Sequence, residues 1–362
     1  MKILLTTDNI GGVWTYTVNL AKGLKKNRID VCIAVIGEKM SDSQKQELSF
    51  TSWYFIGSKQ EWMQDPWSDI RKAGCLLLDI AAAYRPDIVH LNSYSFGNLG
   101  WRIPVIVASH SCVLSWWNAV KKEEAPADWN HYREMVGNGI RAADVVVAPG
   151  MTMMRYVEQY FDPKGIKVVI YNGADMSVFH PAPKKNFIFS MGRLWDEAKN
   201  VTLLLKAAGE IKYHIFIAGD LEEPHPYLPL NVHFLGRLTH PQVATWLSEA
   251  AVYALPVIYE PFGFTFLEAA FSECAIVTGD IESMREIWSD EAVFVNPSDS
   301  HALAKAINIL MEDEQKRAGL VAAAKKKATA DYTLDKMTSE YISLYNNVLQ
   351  SSSQRKLKLQ EL

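Results

Sequence analysis

The sequence predicts an α/β chain built from two doubly wound units. Three observations carry this reading. Short runs rich in Val and Ile recur along the chain, amphipathic stretches of helical length separate them, and the alternation pauses once, near the middle, at a proline-bearing polar segment. Runs that are apolar on both alternating faces suit strands buried on both sides of a parallel sheet. Strand–helix–strand order implies layered packing with right-handed crossovers.

The first unit opens with a strand at 2–6, followed by strands at 31–36, 87–91, 105–109, 145–148 and 168–171. Helical patterns fill 13–26, 67–84, 129–142 and 151–160. Residues 175–186 carry Pro181, Pro183 and two lysines without any period, which marks a boundary. Beyond it come strands at 186–190, 213–218, 232–235, 252–255, 275–278 and 292–295, with helices at 200–211, 241–249, 265–271 and 302–311. The expected domains are 1–178 and 179–331. The polar stretch 351–356 is expected to fray.

Composition narrows the function classes. With 362 residues, 49% apolar and 22% charged, the chain is an ordinary globular one of about two domains. A net charge of −4 argues against a nucleic-acid binder. No segment approaches the ~20 apolar residues of a membrane span. The start reads as a strand rather than a secretion signal. Cys32, Cys75, Cys112 and Cys274 are scattered singly, which excludes a zinc ribbon and a disulfide scaffold and fits a reducing, cytoplasmic setting.

In doubly wound units, ligands sit at the carboxyl ends of the strands. The first strand runs into Asp8, Gly11 and Gly12 before a helix. Adjacent glycines let the backbone approach a ligand, and a helix start favours an anion. This is not the G-x-G-x-x-G fingerprint, and a plain tight turn is the alternative. His110 stands where the strand 105–109 ends in a loop, although a lone histidine is often structural. Trp116 and Trp117 follow shortly after. Their faces suit an acceptor sugar, core packing or a dimer contact.

The second unit opens with strand, Gly192, Arg193 and Lys199. A two-pronged guanidinium and a point-charge ammonium over a helix start suit a diphosphate. The alternative is two solvated surface cations, one paired with Asp196 or Glu197. The strongest signal is Glu260-Pro261-Phe262-Gly263-Phe264-Thr265, followed by Glu268. Pro261 and Gly263 mark a turn and a helix should begin near Thr265. Free amides around Phe264 and Thr265 can receive a phosphate. A carboxylate accepts two hydrogen bonds from vicinal hydroxyls, as in ribose or a hexose. For Glu268 the alternative is an acid favoured by the helix dipole.

Glu260 and Glu268, with seven residues between them around Pro-Phe-Gly-Phe, resemble the E-x7-E motif of retaining, nucleotide-sugar-dependent glycosyltransferases of family 4. These have the GT-B fold, two Rossmann-like doubly wound domains facing across a cleft. The resemblance covers nearly the whole chain: Gly11-Gly12-Val13, His110, the turn from Tyr171 to Asp175, Gly192-Arg193-Leu194 with Lys199, and Gly219-Asp220. It implies a nucleoside diphosphate sugar donor, UDP- or GDP-linked, held mainly by the second domain, and no further cofactor. Arg193 and Lys199 would bind the diphosphate and Glu268 the ribose. Glu260 would contact the transferred sugar, with the amides of Phe262, Gly263, Phe264 and Thr265 on its hydroxyls and phosphate. His110 would reach the sugar from the other domain.

Gly11 and Gly12 would approach the phosphates or the acceptor, with Asp8 beside them on the acceptor side. Loops after Gly219 and around Gly236 and Arg237 would cradle the base. Residues 332–350 would return to the first domain. No D-x-D pair stands on a strand-end loop, so no metal is expected and Arg193 with Lys199 would replace it. Retention without an enzyme nucleophile implies front-face attack. The implied role is polysaccharide biosynthesis, with a glycan, glycolipid or small-molecule acceptor; a peripheral membrane contact and a homodimer stay open. A sugar-nucleotide epimerase and a non-catalytic nucleotide-sugar binder are the competing readings. One departure stands out. Many relatives carry Gly-Gly-x-x-Glu after the motif helix, where this chain has Thr278-Gly279-Asp280-Ile281-Glu282-Ser283-Met284-Arg285-Glu286.

Overall fold

Two all-parallel sheets organise the chain in the computed structural model, which describes residues 1–220 and 229–360. One compact unit comprises Met1–Trp117, Glu124–Gly173 and the segment from Leu334 onward; the other comprises Asn118–Glu123 and Ala174–Thr333.

In the first unit the strands are β1 (Lys2–Thr7), β2 (Asp30–Gly37), β3 (Ser52–Gly57), β4 (Ile88–Leu91), β5 (Val105–Ala108), β6 (Val145–Ala148) and β7 (Ile166–Val169). They pair in the order β3-β2-β1-β4-β5-β6-β7. The helices are α1 (Gly11–Lys26), α2 (Asp42–Glu47), α3 (Trp67–Tyr84), α4 (Val113–Lys121), α5 (Asn130–Ala142) and α6 (Met151–Phe161). The central strands β4, β5 and β6 are buried at every position, as expected of strands covered on both faces. β3 was not expected: its run Trp53-Tyr54-Phe55-Ile56 is apolar but aromatic rather than rich in Val and Ile, and at the sheet edge Tyr54 and Phe55 stay exposed. β7 starts at Ile166, two residues before the expected 168, and its exposed first residues are the reason.

The second unit holds β8 (Lys185–Met191), β9 (His214–Ala218), β10 (Val232–Gly236), β11 (Ala250–Leu255), β12 (Ala275–Gly279) and β13 (Val293–Val295), in the order β10-β9-β8-β11-β12-β13. Its helices are α7 (Val201–Ala207), α8 (His240–Glu249), α9 (Phe264–Phe271), α10 (Glu282–Trp288), α11 (Ser300–Glu312) and α12 (Glu314–Asp331). The expected helix 200–211 is shorter than read, ending in a 3-10 turn at Ala208–Glu210.

The last helix, α13 (Leu334–Gln360), packs on α1. The approach is close: a Cβ on Gly23 would collide with Thr338, and Lys26 pairs with Asp335 at 3.0 Å. The helix runs through 351–356, so the expected fraying there is corrected. Among the described residues, no helix is long and apolar enough to cross a membrane.

In each sheet the strand order reverses once. β1 lies between β2 and β4, and β8 lies between β9 and β11. Loops leaving the two strands on either side of such a switch point run in opposite directions and open a crevice.

Candidate functional site

The switch point of the second sheet gathers the motif residues. From β8 the chain passes Gly192 and Arg193 into a 3-10 turn, Glu197–Lys199. Asp196 caps that turn through Ala198 N–H at 3.0 Å. Asn200, at φ 53°, then clamps it by donating from Nδ2 to Pro256 O and Pro297 O, 2.9 and 2.8 Å away. Ile258 N–H donates to Ala198 O at 2.8 Å. The turn is therefore fastened to the loop after β11. Lys199 is thereby carried to Glu260: Nζ is 2.5 Å from Oε2, and the side chains are only 15% and 14% exposed.

Arg193 is more open. Its guanidinium donates to Asp196 Oδ2 at 2.8 Å and lies 5.4 Å over the Trp195 ring. Both expected diphosphate cations thus stand beside carboxylates. The pairing of Arg193 with Asp196 is the one the sequence offered as an alternative. The pairing of Lys199 with Glu260 departs from the sequence expectation, which assigns the two residues to separate groups of the ligand.

Gly263, at φ 85°, opens α9 without any side-chain cap. A side chain there would strike Phe266 and crowd Glu260. The helix start is therefore left to its own amides, those of Phe264 and Thr265. Phe262 is buried against Tyr332, ring centroids 5.4 Å apart. Glu260 is fixed from a third side by Ser283, whose hydroxyl donates to Glu260 O at 2.6 Å. Ser283 lies in the stretch that departs from the Gly-Gly-x-x-Glu pattern, so that stretch still braces the motif loop.

Glu268, one turn into α9, is 7% exposed. Burial pushes its carboxyl up to about 8. Its Oε1 lies 3.9 Å from His240 Nε2. Gly219 follows β9 at φ 141°, where a Cβ would collide with Gly192 O, and its N–H donates to Gly236 O at 2.9 Å. Gly236 and Arg237 are both exposed. The loop expected to continue the base cradle after Gly219 lies, from 221 to 228, outside the described residues.

In the first unit, His110 follows β5 and is half-buried. Its Nε2 is 2.9 Å from Asn92 Oδ1, and its ring packs on Tyr16 with centroids 4.4 Å apart. Burial holds its pKa down at about 4, so the imidazole is neutral near pH 7. Gly11, at φ 62°, and Gly12 open α1, again with no side-chain cap. Asp8 Oδ1 accepts from Ile10 N–H at 3.1 Å and shapes that loop. Trp116 and Trp117 lie on α4, half-buried, rings 5.9 Å apart. Trp117 continues through Trp129 to Tyr132, a packing role for that ring. Sequence reasoning missed Asn92, in the loop after β4, and Ser283, in the first turn of α10: each is a short polar residue whose partner is remote in sequence. Among the described residues, no group of three or more His, Cys, Asp or Glu is placed to hold a metal ion.

Comparison with known proteins agrees across both units. The family described as "Glycosyltransferase Family 4" matches residues 10–178, and "Glycosyl transferases group 1" matches 174–327. A glycogen synthase of Mycobacterium tuberculosis is 30% identical over 296 residues, covering 73% of this chain and 69% of that protein. A phosphatidyl-myo-inositol mannosyltransferase of Mycolicibacterium smegmatis is 26% identical over 199 residues; the match spans about half of each protein, 51%. The solved structure of HepE from Anabaena, in complex with UDP and glucose, superposes with a TM-score of 0.78 at 17% identity, covering 96% of this chain and 100% of that one. At that identity the likeness shows the two-domain GT-B fold.

Proposed function

Because the chain belongs to the group 1 glycosyltransferases of family 4, we propose that it is a retaining hexosyltransferase that takes its sugar from a nucleoside diphosphate donor without a metal ion. The observation that carries this reading is the Lys199–Glu260 pair, 2.5 Å apart, on the loops that leave β8 and β11 beside the uncapped start of α9. That arrangement sets a cation, a carboxylate and free amides on one crevice, as a sugar diphosphate requires. HepE binds UDP and glucose on the same fold, which supports a uridine-linked hexose as the first donor to test.

The chemistry follows from charge. As the bond from the anomeric carbon to the diphosphate oxygen lengthens, negative charge grows on the leaving group. Lys199, Arg193 and the amides of Phe264 and Thr265 stand at one strand-end crevice and can stabilise such charge, once the diphosphate draws the two cations from their carboxylate partners. When the diphosphate takes up Lys199, the carboxylate of Glu260 is freed to accept from sugar hydroxyls. Glu268 accepts from the ribose hydroxyls, and His110 acts at the transferred sugar. The acceptor hydroxyl attacks the face the diphosphate leaves: its oxygen bonds to the anomeric carbon, and its proton passes to the departing phosphate oxygen. The configuration is thereby retained.

The acceptor is a glycan, a glycolipid or a small hydroxyl compound. The test is a thermal-shift screen of UDP- and GDP-linked sugars, followed by product detection with lipid and glycan acceptors in the presence of EDTA. Transfer with the anomeric configuration kept supports the reading. A donor converted to an epimer with no acceptor present would favour an epimerase, and metal-dependent rescue after chelation would remove the metal-free mechanism.

A further inference from the structure

We propose that Asn92 is a positioning residue that fixes His110 as the Nε2–H tautomer, so that Nδ1 is its hydrogen-bond acceptor toward the ligand. This rests on the assignment of His110 to the sugar site above.

The neighbours of Asn92 leave its amide one orientation. Asn92 follows β4, with its side chain turned toward β1 and α1. Its Nδ2 lies 2.6 Å from the carbonyl oxygen of Thr6, which can only accept. The same Nδ2 lies 3.1 Å from Thr17 Oγ1, whose own hydrogen goes to Val13 O at 2.8 Å. The backbone N–H of Asn92 is anchored on Thr6 Oγ1 at 2.8 Å. The amide orientation is therefore set by three groups of the first unit, none of them His110. What remains to face the histidine is Oδ1, 2.9 Å from Nε2. An amide oxygen has no hydrogen to give, so Nε2 carries it.

The other surroundings of the ring leave this choice intact. Tyr16 presents its ring, and its hydroxyl is 3.3 Å from His90 Nε2 rather than bonded to His110. His90 is neutral, since burial holds it at about 3, and its Nδ1 meets Tyr345 OH at 2.7 Å. No carboxylate bonds to His110 among the described residues, and Nδ1 has no hydrogen bond among them. The imidazole is neutral near pH 7, so Nδ1 offers a lone pair. A group of that kind accepts from a sugar hydroxyl; it does not donate to a phosphate. Transfer needs no protonated histidine.

The test reads tautomer and turnover separately, on the full chain. In 15N-histidine NMR, His110 is identified by the signal lost in His110→Ala. Wild-type protein should show the proton on Nε2 and a bare Nδ1; a spectrum with the proton mainly on Nδ1 overturns the proposal and needs no variant at Asn92. Asn92→Ala should mix the tautomers and lower kcat by ~10-fold or more, with donor KM nearly unchanged. Tautomer populations unchanged in Asn92→Ala also overturn it. Asn92→Asp, of the same shape, should move the His110 midpoint upward from about 4, because a carboxylate favours the imidazolium, and should add a loss of kcat on the acid side. If His110→Ala transfers sugar at the wild-type rate, the sugar-site assignment fails on its own, whatever the tautomer.

Discussion

Lys199 Nζ lies 2.5 Å from Glu260 Oε2, although the two residues are 61 positions apart. They meet because β8 and β11 are neighbours at the point where the strand order turns. Neither side chain is well hydrated, with 15% and 14% exposure, so each charge depends on the other in the free protein.

Removing either partner should therefore destabilise. Lys199→Ala is expected to cost ~1–3 kcal/mol of folding stability, below the range for fully buried pairs because some water reaches this one. The double variant Lys199→Ala/Glu260→Ala should recover part of that loss. Chemical denaturation of the four proteins of the cycle measures it. Strictly additive losses would mean that the pair is not coupled.

Glu268 gives a pH signature. Burial raises its carboxyl in the folded chain to about 8, against ~4.3 in an unfolded one. Between these values the folded state binds more protons than the unfolded state, so stability falls as pH rises, and the cost is complete above about 8. Glu268→Gln should thus melt higher than wild type at pH ~8.5 and no higher at pH ~4.5. Thermal melts at both values check this. An equal difference at the two would contradict a buried, proton-holding carboxyl.

His110→Ala should lower kcat more than it raises donor KM if, as proposed, the group acts at the sugar while the second unit supplies most donor contacts. Steady-state kinetics separate the two. A pure rise in KM with kcat unchanged would mean that His110 supplies only uniform binding.

How much of this was legible in sequence follows from what each feature depends on. Strands buried on both faces announce themselves, and so does a Pro-x-Gly turn ahead of a helix, which is why the sequence alone sets Glu260 and Gly263 in a strand-end turn and Glu268 in the helix that follows. β3 is an edge strand whose run Trp53-Tyr54-Phe55-Ile56 is aromatic rather than rich in Val and Ile, and Tyr54 and Phe55 stand in water, so apolar character alone does not tell it from a packed loop. α12 is made largely of Ala and Lys, with only Ala324 and Ala328 buried, and it forms by propensity with almost no apolar stripe to read. The Lys199–Glu260 pair depends on strand order, which chain order does not contain. Asn92 and Ser283 act through hydrogen bonds to His110 and Glu260, 18 and 23 positions away, and a lone Asn in a loop or Ser in a first helical turn carries no sign of its partner.

Calorimetry with UDP and UMP asks whether the crevice between the β8 and β11 loops holds the donor diphosphate. Lys199→Ala should weaken UDP by ~10-fold or more while UMP, which lacks the second phosphate, changes much less. Glu268→Ala should weaken both nucleotides alike, by removing the acceptor for the ribose hydroxyls. Unchanged UDP affinity in Lys199→Ala would make Lys199 a partner of Glu260 alone and would place the donor elsewhere.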